Sequence, residues 1–139
     1  MIIHPYEGVG SVHFRMNASQ VEGALGTPRL VTKNRRKETV LYFDGLSITL
    51  SGYGVEEVEL LPETRPSIKD IDIFSHENAL SILCRMDGSP QVCYGTIVFL
   101  KLGISISGLH DANESQRSTT AFSKGRFDSL RNEMVDFIG

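Results

Sequence analysis

The chain has 139 residues, 40% hydrophobic and 22% charged, with a formal net charge of −3. That is one globular domain, long enough to bury a core and unlike a disordered segment in composition. The small negative charge argues against electrostatic binding to nucleic acid, and no apolar run approaches the length of a membrane span.

Met1-Ile2-Ile3-His4-Pro5 lacks the basic run and apolar stretch of a signal peptide, so the expectation is a cytoplasmic protein. Val12, Phe14 and Met16 alternate with His13 and Arg15, which predicts a first strand. Asn17 then reads as a helix cap, with Gln20 as its capping-box partner and Met16 and Val21 as the hydrophobic staple. Val21, Ala24 and Leu25 fall at helical spacing, Gly26 supplies a left-handed stop and Pro28 prevents continuation. Arg29 to Val31 and Val40 to Leu50 read as a hairpin with a basic tip, Lys33 to Lys37. Leu46, Ile48 and Leu50 alternate with Ser47, Thr49 and Ser51, the pattern of a sheet covered on one side only. Another strand, Val55 to Leu61, ends at Pro62, and residues 62–69 form a connection.

A second pass of the same order follows. Ile71 and Ile73 alternate with Asp70 and Asp72 in a strand. Ser75 reads as a cap, with Phe74 in the staple position. Ala79, Leu80, Leu83 and Met86 make an apolar stripe that Gly88 and Pro90 end. From cap to glycine this helix is four residues longer than the first, roughly one turn, so the inward face is preserved. A short hairpin around Tyr94-Gly95-Thr96 leads to Leu102, Ile104 and Ile106, alternating with Gly103, Ser105 and Ser107. Residues 110–120 are polar and read as a loop. Leu130, Met134 and Phe137 are spaced for a closing helix.

The two passes match. Residues 41–52 (Leu-Tyr-Phe-Asp-Gly-Leu-Ser-Ile-Thr-Leu-Ser-Gly) and 97–108 (Ile-Val-Phe-Leu-Lys-Leu-Gly-Ile-Ser-Ile-Ser-Gly) read as one unit written twice, each after a Gly-x-Pro. The expected fold is α+β: two pseudo-repeated β-α-β-β(-β) units with antiparallel sheets and short helices on one face. The expected organisation is a single domain over 1–139, with repeat one at about 8–62, repeat two at about 67–122 and a C-terminal helix at about 126–138.

Chemistry is sparse. His4, His13, His76 and His110 show no ligand spacing, and Cys84 and Cys93, nine residues apart, match neither a redox nor a zinc pattern. The cysteines are expected to be reduced, mostly buried thiols. No nucleophile elbow occurs, and Gly8-Val9-Gly10 lacks the residues of a phosphate loop. The pairs Asp70/Asp72 and Glu57/Glu59 each place two carboxylates on one strand face, suited to acid–base work and equally to solvation. Tyr53 beside Glu56, Glu57, Glu59 and Glu63 suggests an anchor and a steering charge for a basic partner, on an exposed strand whose charges would otherwise serve to block edge pairing.

Residues 6–28 carry a recognisable opening: Gly8 and Gly10, then Phe14 and Met16, then Val21, Leu25, Gly26 and Pro28. A return strand with Tyr42, Phe43, Gly45 and Leu46 follows. Together with the second copy, this resembles immunity proteins of bacterial polymorphic toxin systems, over most of the chain. Arg15 stands where that pattern has Gly, and Asn17 where it has Thr. The unit also resembles the small lipoprotein of outer-membrane barrel assembly, which carries one copy behind a lipid-modified Cys that this chain lacks. The matched residues are caps, turns and core, so they speak to fold more than to partner. The resemblance implies a protein that binds and occludes one cognate toxin, without catalytic residues or a cofactor. Tyr53, Glu56, Glu57 and Glu59 are then the candidate contacts, the toxin possibly basic, with neither nucleic acid nor membrane as partner. The alternatives are a small-molecule-binding or enzymatic cleft between the repeats, lined by Tyr42, Tyr94 and the carboxylates, or a protein that self-associates through a strand edge.

Overall fold

A computed structural model describes residues 1–108 and 117–138. Three short strands come first, β1 (Ile2–His4), β2 (Gly8–Val9) and β3 (Val12–His13), followed by helix α1 (Ala18–Leu25). A meander follows: β4 (Leu30–Lys33), β5 (Thr39–Phe43), β6 (Leu46–Ser51) and β7 (Gly54–Leu60). A 3₁₀ turn at Pro62–Thr64 leads to β8 (Ser67–Ile68) and β9 (Ile71–Asp72), then helix α2 (Ala79–Asp87). The next strands are β10 (Gln91–Cys93), β11 (Thr96–Phe99), β12 (Ile104–Ser107) and β13 (Ser118–Phe122). A 3₁₀ helix, Asp128–Glu133, and the two-residue β14 (Val135–Asp136) follow.

The strands form two sheets. The larger has the order β14-β10-β11-β12-β13-β7-β6-β5-β4, and the smaller β3-β2-β1-β8-β9. All described pairings are antiparallel except β1 with β8. The class is α+β and sheet-rich. No helix among the described residues is long and apolar enough to cross a membrane.

Register sorts the large sheet into two faces. Ile48, Val58, Ala121, Ile104 and Ile97 lie on the inner face, all buried. The small sheet (Ile3, Val9, Val12, Ile68) and the helices (Val21, Leu83) join them in one core. Each such side chain contributes about 1.5–3 kcal/mol, which holds helices too short to persist alone. The outer face is not left to water throughout. Phe127, Leu130 and Met134 pack over Cys93, Val98 and Phe122, with Phe127 edge-on to Phe122 at 4.4 Å between centroids. The expectation of a sheet covered on one side only therefore fails for the second half. Tyr6 extends this cluster, edge-on to Phe122, and its hydroxyl donates to the Leu100 carbonyl. The turn it covers requires Gly103, at φ 70°, because a Cβ there would lie 3.2 Å from the Tyr6 ring.

Four other expectations change. The strand predicted through Met16 stops at His13, because Arg15 takes φ 80° and donates its N–H to Val55 O instead. The Val40–Leu50 strand is two strands, broken by a tight Asp44-Gly45 turn with Gly45 at φ 77°. Helix α2 is capped at Asn78, not Ser75. The intervening residues form a turn in which His76 N–H binds Asp72 O and His76 Nδ1 accepts Asn78 N–H. The closing helix at 126–138 is a 3₁₀ helix and a strand. Val135 and Asp136 pair with Val92 and Gln91, and that ladder takes the backbone an α-helix would have needed. His110 lies outside the described residues. Cys84 and Cys93 are both free thiols, half-buried and buried.

The first helix is as predicted at its start: Asn17 Oδ1 accepts Gln20 N–H at 2.8 Å, and Gln20 Oε1 accepts Asn17 N–H at 2.9 Å. Asn17→Ala removes one half of this box and should lower stability by about 1 kcal/mol in urea unfolding, with an unchanged denaturant slope.

Candidate functional site

The β6–β7 hairpin turns at Gly52-Tyr53, leaving Tyr53 78% exposed at its tip. Ser51 Oγ accepts the Tyr53 N–H at 3.1 Å, which fixes the turn. The next residue, Gly54, has φ 103°, and a Cβ there would lie 2.4 Å from Arg15 O. Only glycine allows this approach, which is closed by Val55 N–H to Met16 O and Arg15 N–H to Val55 O.

One step further β7 bulges. Leu50 pairs with Val55 and Thr49 with Glu57, so Glu56 is an extra residue. The bulge turns Glu56 toward Ser123 of the C-terminal segment. Glu56 is only 9% exposed. Ser123 Oγ donates to its Oε1 at 2.6 Å, Ser51 Oγ to its Oε2 at 2.7 Å, and the Arg15 guanidinium lies 3.6 Å away. Burial pushes this carboxyl up, but the two hydroxyls and the charges of Arg15 and Arg126 outweigh it and hold its pKa below the usual value.

Arg126 completes the network with its side chain 8% exposed. Its Nη1 and Nη2 donate to Glu38 at 2.7 and 2.8 Å, and its Nε donates to Glu57 at 2.6 Å. The fork on Glu38 is bidentate, the strong geometry for a guanidinium. Hydrogen bonding from Arg126 is the main reason that Glu38 falls to about 2, with Asn34 assisting against a smaller push from burial. Arg126 itself is raised above its ordinary range, chiefly by Glu38.

Above this network lies an open recess of about 580 Å³, between Arg15 and Tyr53 on one side and Lys124 and Gly125 on the other. Arg15 stacks over the Tyr53 ring at 5.9 Å from its centroid, with 56% of its side chain exposed. Arg15 is thus a non-glycine residue in a left-handed conformation at the rim of the recess, a strain of roughly 1 kcal/mol held by its neighbours.

The four predicted contacts divide. Tyr53 and Glu56 line the recess, and Glu57 sits behind it in the grip of Arg126. Glu59 shares the face of Glu57 but lines a separate pocket with Tyr94. Strand β7 is central, between β6 and β13, so its acids are not an exposed strand or an edge defence. Tyr42 lines none of the described pockets around the carboxylates. The residues that sequence reasoning missed are Arg15, Glu38, Ser123 and Arg126. Glu38 and Arg126 are 88 residues apart, beyond any local pattern. Among the described residues, no three His, Cys, Asp or Glu side chains cluster as a metal site. A comparison with protein-family models, with curated proteins and with solved structures gives no match.

Two outcomes follow from the network. Arg126→Ala leaves Glu38 and Glu57 without their cation and should cost about 3–5 kcal/mol in urea unfolding. The depressed Glu38 contributes stability that is fully present above its unfolded value of 4.5 and is lost as pH falls toward 2. The stability difference between wild type and Glu38→Gln should therefore be large at pH 7 and shrink steadily below pH 4.5, measured by urea melts across that range.

Proposed function

We propose that the chain is a cytoplasmic binding protein and not an enzyme: an immunity protein that neutralises a cognate bacterial toxin by covering its active site or substrate surface. In this reading it is built from two related units, at about 8–62 and 67–122. The order of elements supports the repeat. In each half a two-residue strand, β3 or β9, leads to a short helix and then to four strands of the large sheet. The halves meet where β7 pairs with β13. The resemblance of the Gly8 to Pro28 opening and of the doubled unit to immunity proteins supports the family.

The observation that carries the reading is Tyr53. It is a large aromatic side chain on a fixed turn, stacked by Arg15 and open to solvent above a rigid ion network. Tyr and Arg are the residue types that dominate protein–protein hot spots, and little ordering entropy is lost when they are held before binding. Glu56 and Glu57 are already paired, so the charge facing solvent at the recess is that of Lys124 and of the half-exposed Arg15, which also contacts Glu56. That charge suits acidic side chains on the partner, in place of the basic patch suggested by the acids of β7.

The test is co-expression of the tagged chain with the reading frame immediately upstream. A stable one-to-one complex with rescue of growth is expected. Tyr53→Ala and Arg15→Gly should each weaken it at least tenfold while the melting temperature holds, since glycine adopts φ 80° without strain. Absence of a complex and of toxicity would overturn the reading. Undiminished binding by both variants would remove the recess from it.

A further inference from the structure

Three depressions adjoin one another at the surface. The recess of about 580 Å³ above Glu56 shares Lys124 and Gly125 with a second, of about 310 Å³, lined by Tyr6 and Phe127. The second shares Leu100 and Arg131 with a third, of about 290 Å³, which reaches Lys101 and Ser89. The shared residues join the three into one track. Fixed turns carry its cations. Arg15 lies in the turn tied to Val55, and Lys124 in a turn closed by Arg126 N–H to Ser123 O. Lys101 lies in a turn closed by the Leu102 and Gly103 N–H groups on Phe99 O.

The track is more positive than the chain as a whole. Its lining holds three acids, Glu56, Asp87 and Asp128. Glu56 is taken by Ser51 and Ser123. Asp87 is 1% exposed, and its carboxylate accepts the Lys101 N–H at 2.8 Å and the Ser89 N–H at 3.2 Å. Asp128 is exposed and faces Arg131 at 3.5 Å. Against this one exposed acid of the lining stand four exposed cations, Arg15, Lys124, Arg131 and Lys101. Neither Lys124 nor Lys101 has an ion-pair partner among the described residues. In a chain of net charge −3, such a segregated stretch steers acidic groups toward it.

The middle depression is apolar at its base. Tyr6 and Phe127 both lie edge-on to Phe122, which is 1% exposed. An indentation for one large side chain therefore sits between two cationic stretches.

We infer that the partner contacts this chain through an extended acidic segment lying along the track. Its carboxylates pair with Arg15 and Lys124 at one end and with Arg131 and Lys101 at the other, and an apolar side chain between them enters the slot beside Tyr6 and Phe127. This rests on the reading of the chain as a binding protein, and it carries the contact beyond the Tyr53 recess. A nucleic acid fits less well: the rings of the slot pack against Phe122 and are not platforms for successive bases, and four spaced cations are few for a phosphate backbone.

The experiment is a titration of the ¹⁵N-labelled full chain with a nine-residue peptide, four glutamates on each side of one phenylalanine, which spans about 30 Å when extended. Saturable amide shifts are expected at Arg15, Lys124, Gly125, Lys101 and Arg131, weakening as salt is raised. Replacing the central phenylalanine by alanine should weaken binding severalfold. The double variant Lys101→Gln/Lys124→Gln should weaken it at least tenfold with an unchanged melting temperature, since both side chains are exposed. Absence of saturable shifts, equal binding of a nine-nucleotide oligothymidylate or of the all-lysine analogue, or undiminished binding by the double variant would each overturn the inference. In the complex with the co-expressed partner, loss of binding by Tyr53→Ala but none by Lys101→Gln would overturn the track and leave the recess reading standing. Peptide binding along the track with no upstream partner would uphold the track and remove the toxin.

Discussion

The guanidinium of Arg126 ties together three parts of the chain that are distant in sequence. It holds Glu38 at the base of the β4–β5 hairpin tip, Glu57 on the central strand β7, and its own backbone in the turn after β13. A buried cation is unfavourable unless its partners are in place and well aligned. Here both are, through three hydrogen bonds of 2.6 to 2.8 Å, so the three segments support one another. The course of the C-terminal segment follows from this. It leaves the sheet at Phe122, is fixed at Arg126, lays Phe127 on Phe122, and ends by pairing β14 with β10. The packing of Phe127, Leu130 and Met134 and the short β14 ladder then hold the roof over the outer face.

Local rules are broken where the recess is built. The bulge at Glu56 interrupts the ladder between β6 and β7, and Arg15 takes a backbone conformation that favours glycine. The two irregularities touch through Gly54, whose missing side chain lets the Arg15 carbonyl approach. Strain of this kind persists only where surrounding structure over-determines it. Here the over-determination is a pair of backbone hydrogen bonds between the Arg15–Met16 segment and Val55, plus the Arg15 contact with Glu56. The result is a guanidinium presented over Tyr53 from the turn after β3, which backbone hydrogen bonds tie to β7.

What was legible in the sequence depended on range. The capping box at Asn17 involves residues three apart, so its signature is complete within one turn, and it is present as read. Alternation along β6 and β12 reports the pleat directly, and it placed Ile48, Ile104 and Ile106 inside correctly. Glu57 and Glu59 do share a face, by the same period of two. The Asp44-Gly45 turn was available as a signal and was passed over, because the apolar run continues through it. The start of α2 was misplaced for a different reason: Ser75 has the right chemistry for a cap, but the His76 ring had already satisfied the nearby N–H of Asn78. The C-terminal segment has helical spacing, yet its backbone is drawn into a ladder with β10, a partner more than forty residues away. None of the Arg126 pairings has a local trace.

The three acids of β7 show why formal charge along a strand does not give the charge of a surface. Glu56, Glu57 and Glu59 are near neighbours in sequence and identical in type. The bulge hands Glu56 to two serines and Arg15, and the pleat hands Glu57 to Arg126. Glu59, one pleat further on, faces Thr120 and a cavity with no cation in its lining among the described residues. The first two are consumed by folding, so the recess beside them presents Lys124 and the exposed part of Arg15 to solvent, although it is floored by a carboxylate. The third is exposed on the outer face, where Ser118 hydrogen-bonds it. A chain with a net charge of −3 thus presents cations at a recess beside a strand that carries three acids. The sign there is decided by which side chain the tertiary fold sets opposite each acid, and that assignment lies in contacts made across 67 to 88 residues of chain.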